Sequence, residues 1–162
     1  MGFFNRKEKE EKVKELTAYV SGHVIPIAEV NDPVFSSKSL GDGIAIRPEG
    51  QTITAPCGGE ISMAADTGHA IGITVNNGAE LLLHIGIDTV SLNGEGFQPL
   101  VKEGKKVKQG DPLLKFDKAL IEKNGFAADC ILIVTNTDDF PGLKFLCNMD
   151  AKQNETIVCR FS

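Results

Sequence analysis

An all-β fold is what this sequence predicts: an antiparallel β-sandwich, or a barrel-like duplicated hybrid motif, with one or two short helices. Three observations lead there. Short Val/Ile/Leu runs recur along the chain, each bounded by Gly, Pro, Asn or Asp. Glycine is abundant at 17 residues while aromatics make up only 6%, which favours many turns. Asn77-Gly78 lies between two apolar runs, a strong short-range hairpin signal.

The elements follow in order. Residues 1–17 are dense in Lys and Glu and read as a charged leader, flexible or helical. Phe3 and Phe4 beside Arg6 and Lys7 suit weak contact with a membrane surface. Residues 18–162 read as one domain, long enough for a sizeable core. Val24–Ile27, Gly43–Ile46, Thr52–Thr54 and Glu60–Met63 are strand-like runs. Val101–Phe116 holds two more strands around the turn Lys108-Gln109-Gly110-Asp111. Residues 117–124 are the best interior helix, with Asp117 as cap and Leu120 and Ile121 on one face. Cys130–Val134 and Thr156–Cys159 read as closing strands. Val20–Val24 and Ala55–Ile61 both enter a strand after small residues, a hint of internal repetition.

Charge and cysteine usage narrow the function. The net charge of −5 argues against nucleic acid as a partner. Cys57, Cys130, Cys147 and Cys159 have no CxxC spacing, so no zinc knuckle or redox dithiol is indicated. No stretch resembles a secretory signal or spans a bilayer, and free thiols fit the cytoplasm.

Two histidines carry the chemistry. A two-residue Asn77-Gly78 loop pairs Asn76 with Ala79 and His69 with Gly86, making His84 the diagonal neighbour of His69. Diagonal Cβ atoms lie about 7–8 Å apart or less on one face, here otherwise lined by Ile71, Ile73 and Leu82. A four-residue loop keeps that parity, whereas a three-residue loop puts the rings on opposite faces. Imidazole is nucleophilic and half-protonated near neutral pH. Two of them on an apolar face suit the relay of a charged group between proteins, or a metal.

These residues carry a family match. Asp32-Pro33-Val34-Phe35, Gly41–Ile46, Thr67-Gly68-His69-Ala70, Glu80–Val90 and Asn93-Gly94-Glu95-Gly96-Phe97 resemble the glucose-type IIA domain of the bacterial phosphoenolpyruvate-dependent sugar phosphotransferase system. The resemblance runs from about Val20 to the C-terminus and implies a single IIA domain with an antiparallel β-sandwich fold. It implies that phospho-HPr donates a phosphoryl group to His84, and that a sugar-specific IIB domain accepts it. It implies that His69 stabilises the phosphoryl group, that Thr67 orients His69, and that Asp32 and Asp88 border the site. Ala65 departs from the aromatic common in relatives, Ala18–Gly22 departs from the usual strand entry, and the segment after Thr135 matches poorly.

For Asp88, a turn cap and a charge that limits phosphoprotein stability are equally open readings; for Asp32 the turn is preferred. Phe35, Leu40, Ile71 and Leu82 are the expected apolar rim for partners, although some of them suit a core. His23, with no acidic or histidine neighbour, reads as a surface or turn residue. No cofactor is expected, and adventitious zinc at His69 and His84 is the only metal anticipated. A zinc hydrolase of related duplicated β architecture is the rival, weakened by the lack of an HxH pair. The Val101–Leu113 hairpin resembles lipoyl and biotinyl carriers but lacks their modified-Lys tripeptide. A purely regulatory module that senses phosphorylation, with no turnover of its own, is the other alternative, although regulation of protein targets is in itself compatible with the main reading.

Overall fold

Short β-branched runs between turn residues become short strands. The computed structural model describes residues 11–162. In chain order the strands are β1 (Glu15–Thr17), β2 (Gly22–Pro26), β3 (Asp42–Pro48), β4 (Thr52–Thr54), β5 (Gly59–Ala64), β6 (Ala70–Thr74) and β7 (Glu80–Ile85). There follow β8 (Phe97–Pro99), β9 (Lys106–Val107), β10 (Pro112–Phe116), β11 (Cys130–Val134), β12 (Lys144–Phe145), β13 (Met149–Ala151) and β14 (Ile157–Arg160). Two short helices, α1 (Pro33–Ser36) and α2 (Lys118–Lys123), complete the picture. Every pairing is antiparallel, so the expected all-β class is borne out.

The main sheet has eight strands in the order β13-β2-β3-β11-β7-β6-β5-β9. Two three-stranded sheets, β1-β14-β12 and β4-β10-β8, accompany it. Alternation along β7 divides the interior. Leu81, Leu83 and Ile85 join the larger core cluster with Ile71, Ile73 and Leu132. Leu82 packs on the smaller one, formed by Ile25, Ile27, Val30, Phe35, Ala45, Ile87, Ile131 and Ile133. β11 is buried along its whole length because both its faces are covered. One row of Cα partners crosses five strands: Ala70, His84, Ile131, Ala45, Ile25. His84 is thus fixed by the centre of the sheet and stands over the smaller cluster.

Three expectations need correction. Glu15–Thr17 pairs with β14 and Leu16 is fully buried, so the domain begins before residue 18. The expected membrane contact falls on residues 1–10, outside the described residues. The turn at Lys108–Asp111 exists, closed by Asp111 N–H donating to the Lys108 carbonyl at 3.0 Å. Its flanking strands do not pair with each other: β9 joins β5, while β10 joins β4 and β8. The cause is Ala55, which exchanges hydrogen bonds with Gly110 and Asp111 and anchors the turn elsewhere.

The hairpin loop is the third. Val75 N–H donates to Ala79 O and Gly78 N–H to Val75 O, which makes a three-residue loop. Gly78 has φ +93° while Asn77 is not among the residues of positive φ. A two-residue type I′ turn needs positive φ at both central positions; a type I turn with a left-handed residue after it needs only the glycine. The loop's asparagines also hold the N-terminal segment: Val13 N–H donates to Asn76 Oδ1, and Asn77 Nδ2 donates to Val13 O.

The helix expected at 117–124 is α2. Asp117 Oδ1 accepts from Leu120 N–H at 3.0 Å, and Ile121 is buried. Asp117→Ala removes that cap and is expected to lower the unfolding free energy by about 1 kcal/mol, read as a lower urea midpoint with an unchanged m-value.

Candidate active site at two histidines

His84 and His69 come together despite the loop. Their ring centroids are 5.0 Å apart at 81°, an edge-on arrangement. The register sets Ala70 opposite His84, so strict alternation would send His69 to the other face. His69 escapes because it precedes β6. It ends a turn in which Gly68 takes φ +74° and donates its N–H to Ala65 O. That turn, and not the pleat, aims the ring.

The nitrogens have distinct partners. His84 Nδ1–H donates to the Gly86 carbonyl at 2.9 Å, leaving Nε2 as the basic nitrogen. Gly86 sits at φ +82°, a conformation that suits glycine. The Thr67 hydroxyl is hydrogen-bonded to His69 Nδ1. With Thr67 Oγ1–H as donor, His69 keeps its own proton on Nε2.

Burial lowers the His84 pKa below the usual imidazole value, and His69 pushes it the same way. The Gly86 carbonyl, Asp32 and Asp88 pull it back only in part. Burial also lowers His69. Both shifts favour the neutral rings. Phe35 packs on His84 with centroids 5.0 Å apart, and Phe97 approaches His69 at 6.4 Å.

Both aspartates end up near His84, close enough to affect its charge. Asp32 caps α1, its Oδ1 accepting from Val34 N–H at 2.9 Å, which matches the turn reading. Asp88 takes φ +61° between β7 and the 3-10 turn Thr89–Leu92, and its side chain makes no cap bond. The turn at Asp88 exists, but its carboxylate is not what closes it.

The expected rim is only partly right. Ile71 is 1% exposed in the larger core cluster, so it cannot meet a partner. The three-residue loop shifts the register by one and turns Ile71 and Ile73 inward. Phe35 is also buried and supports His84 from below. Leu82 is half-buried on the His84 side. Leu40 is exposed but lines a separate cleft with Asp42, Thr135 and Asp138.

Sequence reasoning missed the exposed apolar groups that stand beside the carboxylates. Val34 is 53% exposed and Val90 54%. Each lies two residues from a site aspartate, inside the quoted family strings, and that was the available signal. His23 is exposed, as expected, but it does have an acidic neighbour: its Nδ1 lies 3.0 Å from Asp150 Oδ1, across the β2–β13 pair.

Residues 14–140 match the family model for the phosphoenolpyruvate-dependent sugar phosphotransferase system, EIIA 1. The chain belongs to this family of phosphotransfer components. Its relatives narrow the class to the glucose type, as the resemblance implied. A glucose-specific EIIA component of Oceanobacillus iheyensis is 43% identical over 141 residues, covering 87% of this chain and 86% of the relative. One from Haemophilus influenzae is 41% identical over 143 residues, covering 86% of each. A glucose-specific EIIBCA component of Corynebacterium glutamicum is 41% identical over 144 residues, covering 89% of this chain but 21% of that longer protein. The solved glucose permease IIA of Mycoplasma capricolum superposes with a TM-score of 0.82 at 35% identity, covering 94% of this chain and 97% of the other.

Neither the zinc-hydrolase reading nor the purely regulatory one is supported. The relatives are phosphotransferase components, and among the described residues no three His, Cys, Asp or Glu side chains gather to hold a metal. No helix among those residues is long and apolar enough to cross a membrane.

Proposed function

We propose that His84 is the phosphoacceptor: it takes a phosphoryl group from phospho-HPr on Nε2 and hands it to a IIB domain of a glucose-type or related permease. The observation that carries this reading is the 2.9 Å bond from His84 Nδ1–H to Gly86 O, with a second imidazole 5.0 Å away. The Nε2 lone pair attacks phosphorus, and a P–N bond forms. The bond from phosphorus to the donor breaks, and its electron pair stays with the donor. Nδ1 keeps its proton, so the ring becomes cationic as the bond forms. The Gly86 carbonyl stabilises that charge.

His69 Nε2–H donates to the phosphoryl oxygens, and Thr67 holds the tautomer that allows it. Asp32 and Asp88 repel the bound phosphoryl group, which keeps the phosphoprotein from becoming a trap. Val34, Val90 and Leu82 are the apolar contacts that a partner covers, excluding water during transfer. The EIIBCA relative carries an EIIA segment in one chain with its EIIB and EIIC parts, which supports a IIB domain as acceptor. We assign the work to the cytoplasm.

Incubation with phosphoenolpyruvate, the general phosphotransferase enzyme and HPr tests this directly. Mass mapping is expected to find one acid-labile phosphate, on His84. A phosphate elsewhere, or none, overturns the assignment.

The pH dependence has a definite sign. Only unprotonated Nε2 attacks. A His84 pKa below the usual value keeps the ring neutral to lower pH than a free imidazole. Single-turnover acceptance is expected to stay level from about pH 8 past about 6.5 and to fall only below that. A midpoint at or above the free-imidazole value contradicts the lowered pKa.

A further inference from the structure

We propose that Thr89 is a positioning residue for phosphoryl acceptance, setting the tautomer and aim of His84 through the Ile85–Gly86 peptide. The proposal deepens the function above and rests on His84 being the acceptor.

Thr89 is 0% exposed, although it is polar. Its hydroxyl donates to the Ile85 carbonyl at 2.6 Å. Ile85 is the last residue of β7, and its carbonyl sits one peptide after His84. The next N–H, of Gly86, donates to Asp129 O at 2.8 Å. The Ile85–Gly86 peptide is therefore tied at both its oxygen and its nitrogen. The Gly86 carbonyl lies in the following peptide, whose own N–H, of Ile87, donates to Ala127 O at 3.0 Å. With both peptides flanking Gly86 tied, that carbonyl is held toward His84 Nδ1. The Thr89 methyl adds a steric constraint. A Cβ built on Gly86 would lie 2.3 Å from Thr89 Cγ2, so the threonine occupies the space directly against the glycine.

A buried carbonyl needs a donor in any protein, and Thr89 supplies one. The same bond also ties one of the two peptides that flank Gly86, and so helps to set where the following carbonyl points. That carbonyl decides which imidazole nitrogen keeps the proton and which one attacks. A purely structural threonine would affect stability alone. A positioning threonine also changes the His84 tautomer.

The experiment uses the full chain, 15N-labelled, as Thr89→Val, Thr89→Ser and Thr89→Ala. Valine keeps the shape and removes the hydroxyl; serine keeps the hydroxyl and removes the methyl. Alanine removes both and fits where valine strains the fold. Wild type is expected to give 15N ring signals of one tautomer at His84, protonated on Nδ1. Thr89→Val and Thr89→Ala are expected to give a tautomer mixture and acceptance from phospho-HPr about tenfold slower. Thr89→Ser is expected to keep the single tautomer and come within about twofold of wild type. The proposal is overturned if the Val and Ala variants retain the wild-type signals and rate, or if Ser falls as far as Val. Failure of wild type to accept phosphate would instead remove the functional reading, and the 15N arm would still test Thr89.

Discussion

His84→Gln is expected to take up no acid-labile phosphate at all from phospho-HPr. The reason is the absence of any substitute nucleophile. His69 is the nearest other imidazole, but its Nδ1 is engaged by Thr67 and its Nε2 carries the proton in the proposed tautomer. An amide nitrogen has no available lone pair. The loss therefore exceeds what a missing hydrogen bond would produce; it is the loss of the bond-forming atom. The fold should survive. The glutamine side chain remains beside Phe35 on a strand still paired with β11, and its amide can donate to the Gly86 carbonyl that His84 leaves. Thermal unfolding near wild type together with absent phosphate would assign the defect to chemistry. Phosphate retained on the variant would move the acceptor away from residue 84.

Much of this was legible in the sequence, for physical reasons. A strand needs a short β-branched or apolar run and two turn signals, and β3, β7 and β11 have both locally. Asp117 announced α2 because a cap is a local hydrogen bond. The Nδ1 partner of His84 was foreseeable once a glycine followed two residues on, since a backbone carbonyl can approach closely there.

What was not legible depended on a choice between turns of similar sequence. Asn77-Gly78 serves a two-residue and a three-residue loop, and the two differ by one residue in register. The N-terminal segment, bonded to both asparagines, belongs to the three-residue solution, and Val13 is 63 and 64 residues away from them in the chain. That single step carried Ile71 from the surface into the core. The rings met anyway, because His69 lies in a turn where alternation has ended. The contact is made by the turn at Gly68 and not by the pleat of the hairpin. The His23–Asp150 pair has the same moral: the partners are 127 residues apart, and only the β2–β13 pairing joins them.

The second large effect concerns His69. His69→Gln is expected to slow transfer from phosphorylated His84 to IIB by about 10²–10³-fold, while acceptance from phospho-HPr falls by about tenfold or less. The asymmetry follows from where the phosphoryl group begins. In the first step it starts on the donor, and this protein only receives it. In the second it starts here, between His84 and His69, and this protein must stabilise the charge as the P–N bond lengthens. Glutamine can offer an N–H, but Thr67 no longer fixes its direction, and a donor free to rotate contributes little preorganised stabilisation. Rapid-quench single turnovers in both directions measure the two steps separately. Onward transfer at the wild-type rate would strip His69 of this role. Equal losses in both steps would mean that it positions His84 and does not serve the departing phosphoryl group.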